Sequence, residues 1–508
     1  MYTSNHLAGQ LRAASLATPN SIFAKQPDKA DITHDELWAL AEKYATVLVR
    51  SGLEPGDRVA VQIGKSVEMI ALYLGTILAG GVFLPLNADY TPSEIAYFVG
   101  DSSPTIFVCT PEAYETLNSV ATNNGVRVVF TLGTSGDGTL ADNARDATSG
   151  FWSVPRGTDD LAALLYTSGT TGRSKGAMLT HGNLASNAAT LSAHWQFSMD
   201  DTLIHALPIF HTHGLFVCTN VTLMAGSSVI FLSSFKPPQI TKLMQEASVL
   251  MGVPTFYTRL LKDPDLSPDT VKNMRLFVSG SAPLLAETHQ QWLEKTGHTI
   301  LERYGMTETN MNTSNPYEGP RKAGTVGLPL PGIEVRVADP TSGQPLPVGE
   351  VGSIEIRGPN VFQGYWQMPE KTRAEFRPNG FFISGDVGLI DAQGYVTIVG
   401  RSKDLVITGG YNVYPKEIET LLDEIDGIEE SAVIGLPHPD FGEGVAAVIV
   451  GQDVSVPTEA EILDVLAPKI ARYKQPKRLF FVKSLPRNAM GKVQKNLLRA
   501  EYLAAFGI

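Results

Sequence analysis

The 508-residue sequence predicts an α/β protein. A large N-terminal domain of parallel-sheet α/β subdomains plus a small β-barrel is joined by a hinge to a small α+β C-terminal domain. Three observations carry this. Apolar strand-like runs alternate with stretches of helical periodicity through the N-terminal part, the pattern of a parallel sheet covered by helices. From about Ile333 short strands separated by turn residues take over. Near Arg401 to Lys403 charged residues lead through a glycine pair into a helix entered at Pro415, which suits a linker that opens a new domain. The expected division is 1–401 and 402–508, since the chain is too long for one ordinary core.

The elements follow in order. "RVAVQI" reads as a strand, "SVEMIALYLGTILAG" as a helix, "GVFLPL" as a strand, "SEIAYFVGD" as a helix and "TIFVC" as a strand. The uncharged run Met69 to Ala88 is long enough to raise the question of a membrane span. Gly80, Gly81 and Pro85 interrupt it, so a buried helix followed by a short buried strand is expected. Thr131 to Ser149, rich in Gly, Asp, Thr and Ala, reads as a surface loop. "TLIHAL", "SSVIFL", "VLMGV" and "MRLFVSG" read as further buried strands, and "GIEVRVAD", "GSIEIRG" and "GYVTIVG" as strands of the β subdomain.

Bulk properties narrow the function. Apolar residues make up 43% and charged residues 18%, a globular composition. The net charge of -12 argues against a protein that wraps nucleic acid, which needs clustered cations. Cys109 and Cys218, the two cysteines, are far apart, so no disulfide framework or metal knuckle is readable. The N-terminus lacks a basic region followed by an apolar core, so a cytoplasmic protein is expected, with small-molecule substrates, no stable membrane insertion and no obligate protein partner. Ala471 to Ala500 departs from the acidic whole, with nine lysines and arginines and no acid. It is either a solvated face or a patch that meets an anionic substrate.

"LLYTSGTTGRSKGAMLTHGN", Leu164 to Asn183, sets a loop of glycine and hydroxyl residues between an apolar run and a helical one. It is not a nucleoside-triphosphatase P-loop, because Ser174 and Gly176 stand where that motif needs glycine and a magnesium-binding hydroxyl. Its chemistry still suits phosphate. Gly169, Gly172 and Gly176 let backbone N–H groups converge, Thr167, Ser168, Thr170 and Thr171 add hydroxyls, and Lys175 adds a mobile charge.

With its neighbours, "YTSGTTGRSKGAMLTH" resembles the signature of the adenylate-forming superfamily of acyl-CoA synthetases, luciferases and adenylation domains. "PIFHTHG", "SGSAPL", "RYGMTET", "GFFISGD", "GRSKDLVITGGYNVYPKEIE" and "PRNAMGKVQK" follow in the family's order and extend the resemblance over nearly the whole chain. Ser174 replaces a usual proline and Thr408 a commoner serine, and neither change removes a reactive group. The resemblance implies a two-step ligase: a carboxylate attacks the α-phosphate of ATP, and CoA then takes the acyl group from the adenylate after the small domain swings.

It also implies roles. Thr167, Ser168, Gly169, Thr170, Thr171, Gly172 and Lys175 would hold the β and γ phosphates. Gly280, Ser281, Ala282 and Pro283 would line adenine and Tyr304 would pack on it, with Gly305 and Met306 beside them. Thr307 would touch the α-phosphate, and Glu308, a hard oxygen donor, would bind Mg2+. Asp386 would accept from the ribose hydroxyls and Arg401 would contact the ribose, unless Arg401 serves only as a linker salt bridge. Lys492 would bridge the attacking carboxylate and the α-phosphate, with Lys495 excluded by its spacing after "MG". Lys403 would be the hinge, Gly409, Gly410 and Tyr411 would line the pantetheine path, and His211 would stand where acyl pocket and thiol meet.

"ERYGMTETNMNTSNPY", "GVPTFYTRLL" and "LPRNAMGKVQK" resemble the malonyl-CoA synthetase subgroup most closely. That implies malonate, with methylmalonate possible, as the acid. Another short or medium carboxylic acid, or an adenylation domain loading a carrier protein, is the alternative. A diacid brings a second carboxylate into an apolar pocket, which demands an arginine. Arg259 and Arg303 are both candidates, with His213 and Ser279 as further hydrogen-bonding groups and Met306 as the residue that sets pocket length.

Overall fold

The computed structural model describes the chain except for residues 1, 28, 168–173, 410, 453–455, 489–491 and 508. The phosphate-loop residues Ser168, Gly169, Thr170, Thr171 and Gly172, and Gly410 of the small domain, thus lie outside the described residues.

Two large sheets form the N-terminal part. One runs Gly364–Tyr365, Lys175–Thr180, Leu161–Thr167, Val82–Pro85, Arg58–Gln62, Ile106–Cys109 and Val128–Thr131. The strands from Leu161–Thr167 to Val128–Thr131 are parallel neighbours, and the two at the other edge are antiparallel. In the second sheet, Leu301–Met306, Leu276–Ser279, Val249–Gly252, Thr202–His205, Ser228–Phe231 and Ile22–Lys25 are parallel neighbours. Parallel strands need both faces covered, so most of these strands are rich in Val, Ile, Leu, Ala and Phe; Leu301–Met306, which carries Glu302 and Arg303, is the exception among them.

The helix Val67–Leu78 shows this burial most fully, with every residue but Glu68 buried. It is capped by Ser66 and ends before Gly80, whose φ of 76° is left-handed. No helix among the described residues is long and apolar enough to cross a membrane. The expected surface loop at Thr131 to Ser149 differs: it holds a helix, Thr139–Arg145. Leu140 and Ala144, four residues apart, are buried in the main core, so tertiary packing fixes a short helix that composition alone reads as loop.

The subdomain after Ile333 is an antiparallel sheet, Glu334–Ala338, Gly352–Arg357, Phe382–Ile390 and Val396–Arg401. Among the described residues its pairing is an open ladder where a small barrel was expected, four strands being too few to close around a core. Val396–Arg401 ends at Arg401, the 3₁₀ turn Ser402–Asp404 follows, and Val406–Thr408 begins a separate sheet with Tyr411–Val413, Gly442–Gly451, Ile428–His438 and Arg478–Val482. Helix Pro415–Asp423 packs on that sheet through Ile418 and Leu422.

Four of the nine basic residues in the stretch near the C-terminus are answered by this small domain's own acids. Lys474 pairs with Glu417 at 2.6 Å, Lys495 with Glu419 at 2.5 Å, Arg499 with Asp404 at 2.7 Å, and Arg487 with Glu430. Charge segregated along the sequence is therefore mixed in space.

Candidate active site

In parallel α/β sheets the carboxyl ends of the strands are where loops converge and ligands bind. Thr167, His205, Ser279 and Met306 each close such a strand. Past Met306 the chain turns through Thr307 and Glu308 into the antiparallel strand Asn310–Ser314. The tip of this hairpin presents the metal-ligand candidate.

Glu308 is 6% exposed and accepts a hydrogen bond from the Tyr365 hydroxyl at 3.0 Å. Burial raises its carboxyl above the ordinary range. The same hydroxyl lies closer to Glu375, at 2.7 Å, so its single proton is shared between the two carboxylates, and Lys175 lies 3.5 Å from Glu375 and 4.1 Å from the Tyr365 ring centre. Tyr365 and Glu375 were not found from sequence, because nothing in their spacing ties them to the phosphate loop. Antiparallel pairing of Lys175 with Thr167 places the lysine at the loop's exit.

Asp386 and Arg401 are cross-strand partners in the antiparallel sheet, and their side chains form a salt bridge at 2.5 Å. Asp386 is 3% exposed and also accepts from the Tyr304 hydroxyl. The aspartate beside it raises the pKa of Arg401 further. The aromatic ring, the ribose candidate and the linker arginine are thus one connected group.

Lys492 is an exposed residue crowded by neighbouring protein, close enough to Arg303, Glu308, Asp386 and Arg401 to feel their charge. Asp386 and Glu308 attract its charge, while Arg401, Arg303 and burial depress its pKa below that of an ordinary lysine. Its carbonyl accepts from the Asn488 N–H and its own N–H donates to the Asn488 side-chain oxygen, each at 3.0 Å. Lys495 instead points to buried Glu419.

A second group lies beneath. His213 begins the π-helix His213–Thr219, and its Nδ1 is 3.3 Å from the Ser281 hydroxyl. Ser281 adopts a left-handed φ of 72°, a costly conformation for a residue with a side chain, and it delivers the hydroxyl to that imidazole. Arg303 is 2% exposed and stacks directly under Gly280, where a Cβ would come within 2.4 Å of its guanidinium carbon. Among the described residues neither Nε nor Nη2 of Arg303 has a hydrogen-bond partner, nor do Ser279 Oγ, His213 Nε2 and Thr212 Oγ1, all buried. Burial lowers the Arg303 pKa to about 10. Glu302 does not neutralise it: alternation along the strand sends that carboxyl elsewhere, to the Leu284 N–H at 3.1 Å, and burial pushes it up to about 8. His211, near both Lys492 and Arg303, is driven down to about 3 by burial and their charge, so it is neutral at physiological pH.

The structure therefore brings together Lys175, Tyr304, Glu308, Asp386, Arg401, Lys492, Arg303, His211, His213, Ser279 and Ser281. It does not bring Arg259, an exposed residue of helix Pro254–Leu261. Ala282 and Pro283 continue the turn after Ser281, and Gly305 lies against the facing strand, where a Cβ would meet the Asn310 carbonyl at 2.0 Å. Met306 Sδ is 3.9 Å from the Tyr304 hydroxyl. Lys403 is exposed in the turn between domains, and Gly409 takes a left-handed φ of 57°. Tyr411, 60% exposed, stacks on Tyr473 with ring centres 4.7 Å apart.

This chain belongs to the family of AMP-binding enzymes: the AMP-binding enzyme model matches residues 11–366 and the model of the AMP-binding enzyme C-terminal domain matches 417–492. Among its relatives, a malonate–CoA ligase of Arabidopsis thaliana is 37% identical over 477 residues, covering 87% of this chain and 78% of that one. A feruloyl-CoA synthase of Amycolatopsis sp is 36% identical over 475 residues, covering 93% and 94%. Among solved structures, ATP-bound MatB from Rhodopseudomonas palustris is 57% identical with a TM-score of 0.97 over 99% of both chains. Its apo form gives a TM-score of 0.86 over the same coverage.

Proposed function

We propose that this enzyme is an ATP- and CoA-dependent ligase that converts malonate to malonyl-CoA, AMP and pyrophosphate through a malonyl-adenylate. One observation carries the choice of acid. Arg303 is a buried guanidinium without a carboxylate partner among the described residues; it lies against Gly280 and acts on His213, and Ser279, His213 and Thr212 also have buried polar atoms left unpaired among those residues. A core built for stability does not retain such a group, since an uncompensated buried charge costs several kcal/mol. An anion from outside is the missing partner, and a diacid supplies it with its distal carboxylate while the proximal one reacts. The malonate–CoA ligase and MatB relatives agree with this.

The steps follow from charge. Lys492 draws the proximal carboxylate and the α-phosphate together, offsetting the repulsion between two anions. A carboxylate oxygen forms a bond to the α-phosphorus, and the bond to pyrophosphate breaks. Thr307 supports the α-phosphate, and Thr167 and Lys175, with the phosphate loop, hold the departing phosphates. Lys175 leaves Glu375 for the stronger charge of the nucleotide. Tyr304 packs on adenine beside the Gly280–Pro283 turn, and Asp386 and Arg401 hold the ribose. Glu308, a buried oxygen donor whose charged form lacks a cation, fits Mg2+. When bound, that ion neutralises charge developing on the phosphates.

In the second step the thiol attacks the acyl carbonyl and AMP leaves. Neutral His211 can accept a hydrogen bond there. Rotation about Lys403, with domains at 1–401 and 402–508, would bring Gly409, Gly410 and Tyr411 against the thiol's path, where the exposed Tyr411–Tyr473 stack offers the CoA a flat apolar surface.

The test is a panel of acids. With ATP and CoA, AMP release with malonate is expected to exceed that with acetate, hexanoate, coumarate or ferulate by at least tenfold. Equal rates across the panel would sink the diacid assignment.

A further inference from the structure

Half-buried Lys65 and buried His205 are titratable groups that the reaction above leaves unused. Lys65 precedes helix Val67–Leu78 in the first sheet's subdomain, and His205 ends strand Thr202–His205 in the second. Lys65 Nζ donates to the His205 carbonyl at 2.7 Å and lies 3.2 Å from His205 Nδ1, over the Phe231 ring. No carboxylate among the described residues pairs with it. His205 Nε2 is 3.0 Å from the Gly214 carbonyl. A carbonyl only accepts, so Nε2 carries the proton and Nδ1 is left as the acceptor for Lys65. The tautomer is therefore fixed from both sides.

Gly214 is the residue after His213 and is held on every side. Thr219 Oγ1 also donates to its carbonyl, at 3.2 Å, and a Cβ on it would come within 2.0 Å of the Pro208 carbonyl. Its carbonyl lies in the first turn of the π-helix His213–Thr219, one residue from the His213 imidazole. A half-buried lysine held against neutral acceptors, with no carboxylate beside it, gains little stability there and could be replaced by an apolar residue of similar size where stability alone matters.

We propose that Lys65 and His205 are positioning residues for the acid pocket: Lys65 fixes the histidine tautomer, His205 holds the Gly214 carbonyl, and His213 thereby stays aimed at the distal carboxylate beside Arg303. This rests on the assignment of Arg303 and His213 to that carboxylate.

The test compares Lys65→Met, His205→Phe and His205→Gln in the full-length enzyme, through steady-state kinetics with malonate and with propionate and through thermal melting. Lys65→Met and His205→Phe are expected to raise the KM for malonate about tenfold or more, with the KM for ATP and the propionate rate within twofold of the parent enzyme. His205→Gln, which keeps a donor for Gly214, is expected to recover most of the loss. An unchanged KM for malonate, or equal losses for malonate and ATP that track a fall in melting temperature, would overturn the proposal. Arg303→Met in the same series separates the two ideas. If it leaves malonate selectivity intact, the pocket assignment fails, and this proposal with it. If it abolishes selectivity while Lys65→Met does not change it, only the positioning role fails.

Discussion

Arg303 and Arg401 both act on the charge of Lys492, yet the fold treats them in opposite ways. Arg401 is partly exposed and tied to Asp386 across two strands, in a pair that the antiparallel register dictates. Arg303 is buried deeper, with two of its nitrogens lacking a hydrogen-bond partner among the described residues. The paired arginine is complete without a ligand and can only orient one. The unpaired arginine is incomplete by construction, and its incompleteness is the specificity. A cleft that activates many acids in a family needs the first kind; one that selects a diacid needs the second.

The strongest test of this contrast removes the group on which both arginines act. Lys492→Ala is expected to lower malonate-dependent pyrophosphate exchange about 10³-fold, while thioester formation from supplied malonyl-adenylate and CoA persists; loss of both half-reactions together would show that Lys492 is not specific to adenylation. Arg303→Met is expected to cut kcat/KM for malonate about 10²-fold, leave propionate within a few-fold, and raise the melting temperature by relieving an uncompensated charge. A fall in melting temperature with no change in selectivity would make Arg303 structural.

Arg401→Ala should do the reverse. It strands buried Asp386 with only the Tyr304 hydroxyl and costs about 1–3 kcal/mol in a denaturation curve, with the KM for ATP raised and malonate preference kept. The smallest effect concerns the neighbour that fails to pair with Arg303. Glu302 has a pKa raised to about 8 in the fold, so the stability it contributes is present below the unfolded carboxylate pKa near 4.5 and is lost as pH rises through 8. Glu302→Gln should therefore stabilise the enzyme by about 1 kcal/mol at pH 8.5 and hardly at all at pH 5, as melting curves at the two pH values would reveal. Destabilisation at both pH values would mean that Glu302 and Arg303 are an ion pair after all.

Much of the fold was legible because parallel strands must be apolar on both faces and because glycine and proline punctuate them. The run at Met69 to Ala88 resolved as predicted, into the helix Val67–Leu78 and the strand Val82–Pro85, since Gly80 supplies a left-handed turn between them. Thr139–Arg145 was not legible, because two apolar residues form a helix there only when a core is present to receive them. The candidate site shows the same division. Motif order located Lys175, Glu308, Asp386 and Lys492, but Tyr365, Glu375, Lys65 and His205 carry no local signal, and their importance comes from distant partners.

The sequence by itself determined the class of chemistry: hydroxyl and glycine residues with a lysine in one loop, a carboxylate after "YGMT", an aspartate in "SGD" and a lysine after "MG", each in the order an AMP-binding enzyme requires. It left Arg259 and Arg303 equal, because both stand beside substrate-side motifs. Only the tertiary structure separates them. Helix Pro254–Leu261 turns Arg259 to solvent, where water satisfies a guanidinium, while strand Leu301–Met306 carries Arg303 beneath Gly280, where no described residue bonds its Nε or Nη2. Solvation of a charge is a property of its surroundings in space, and neighbours in sequence do not specify it.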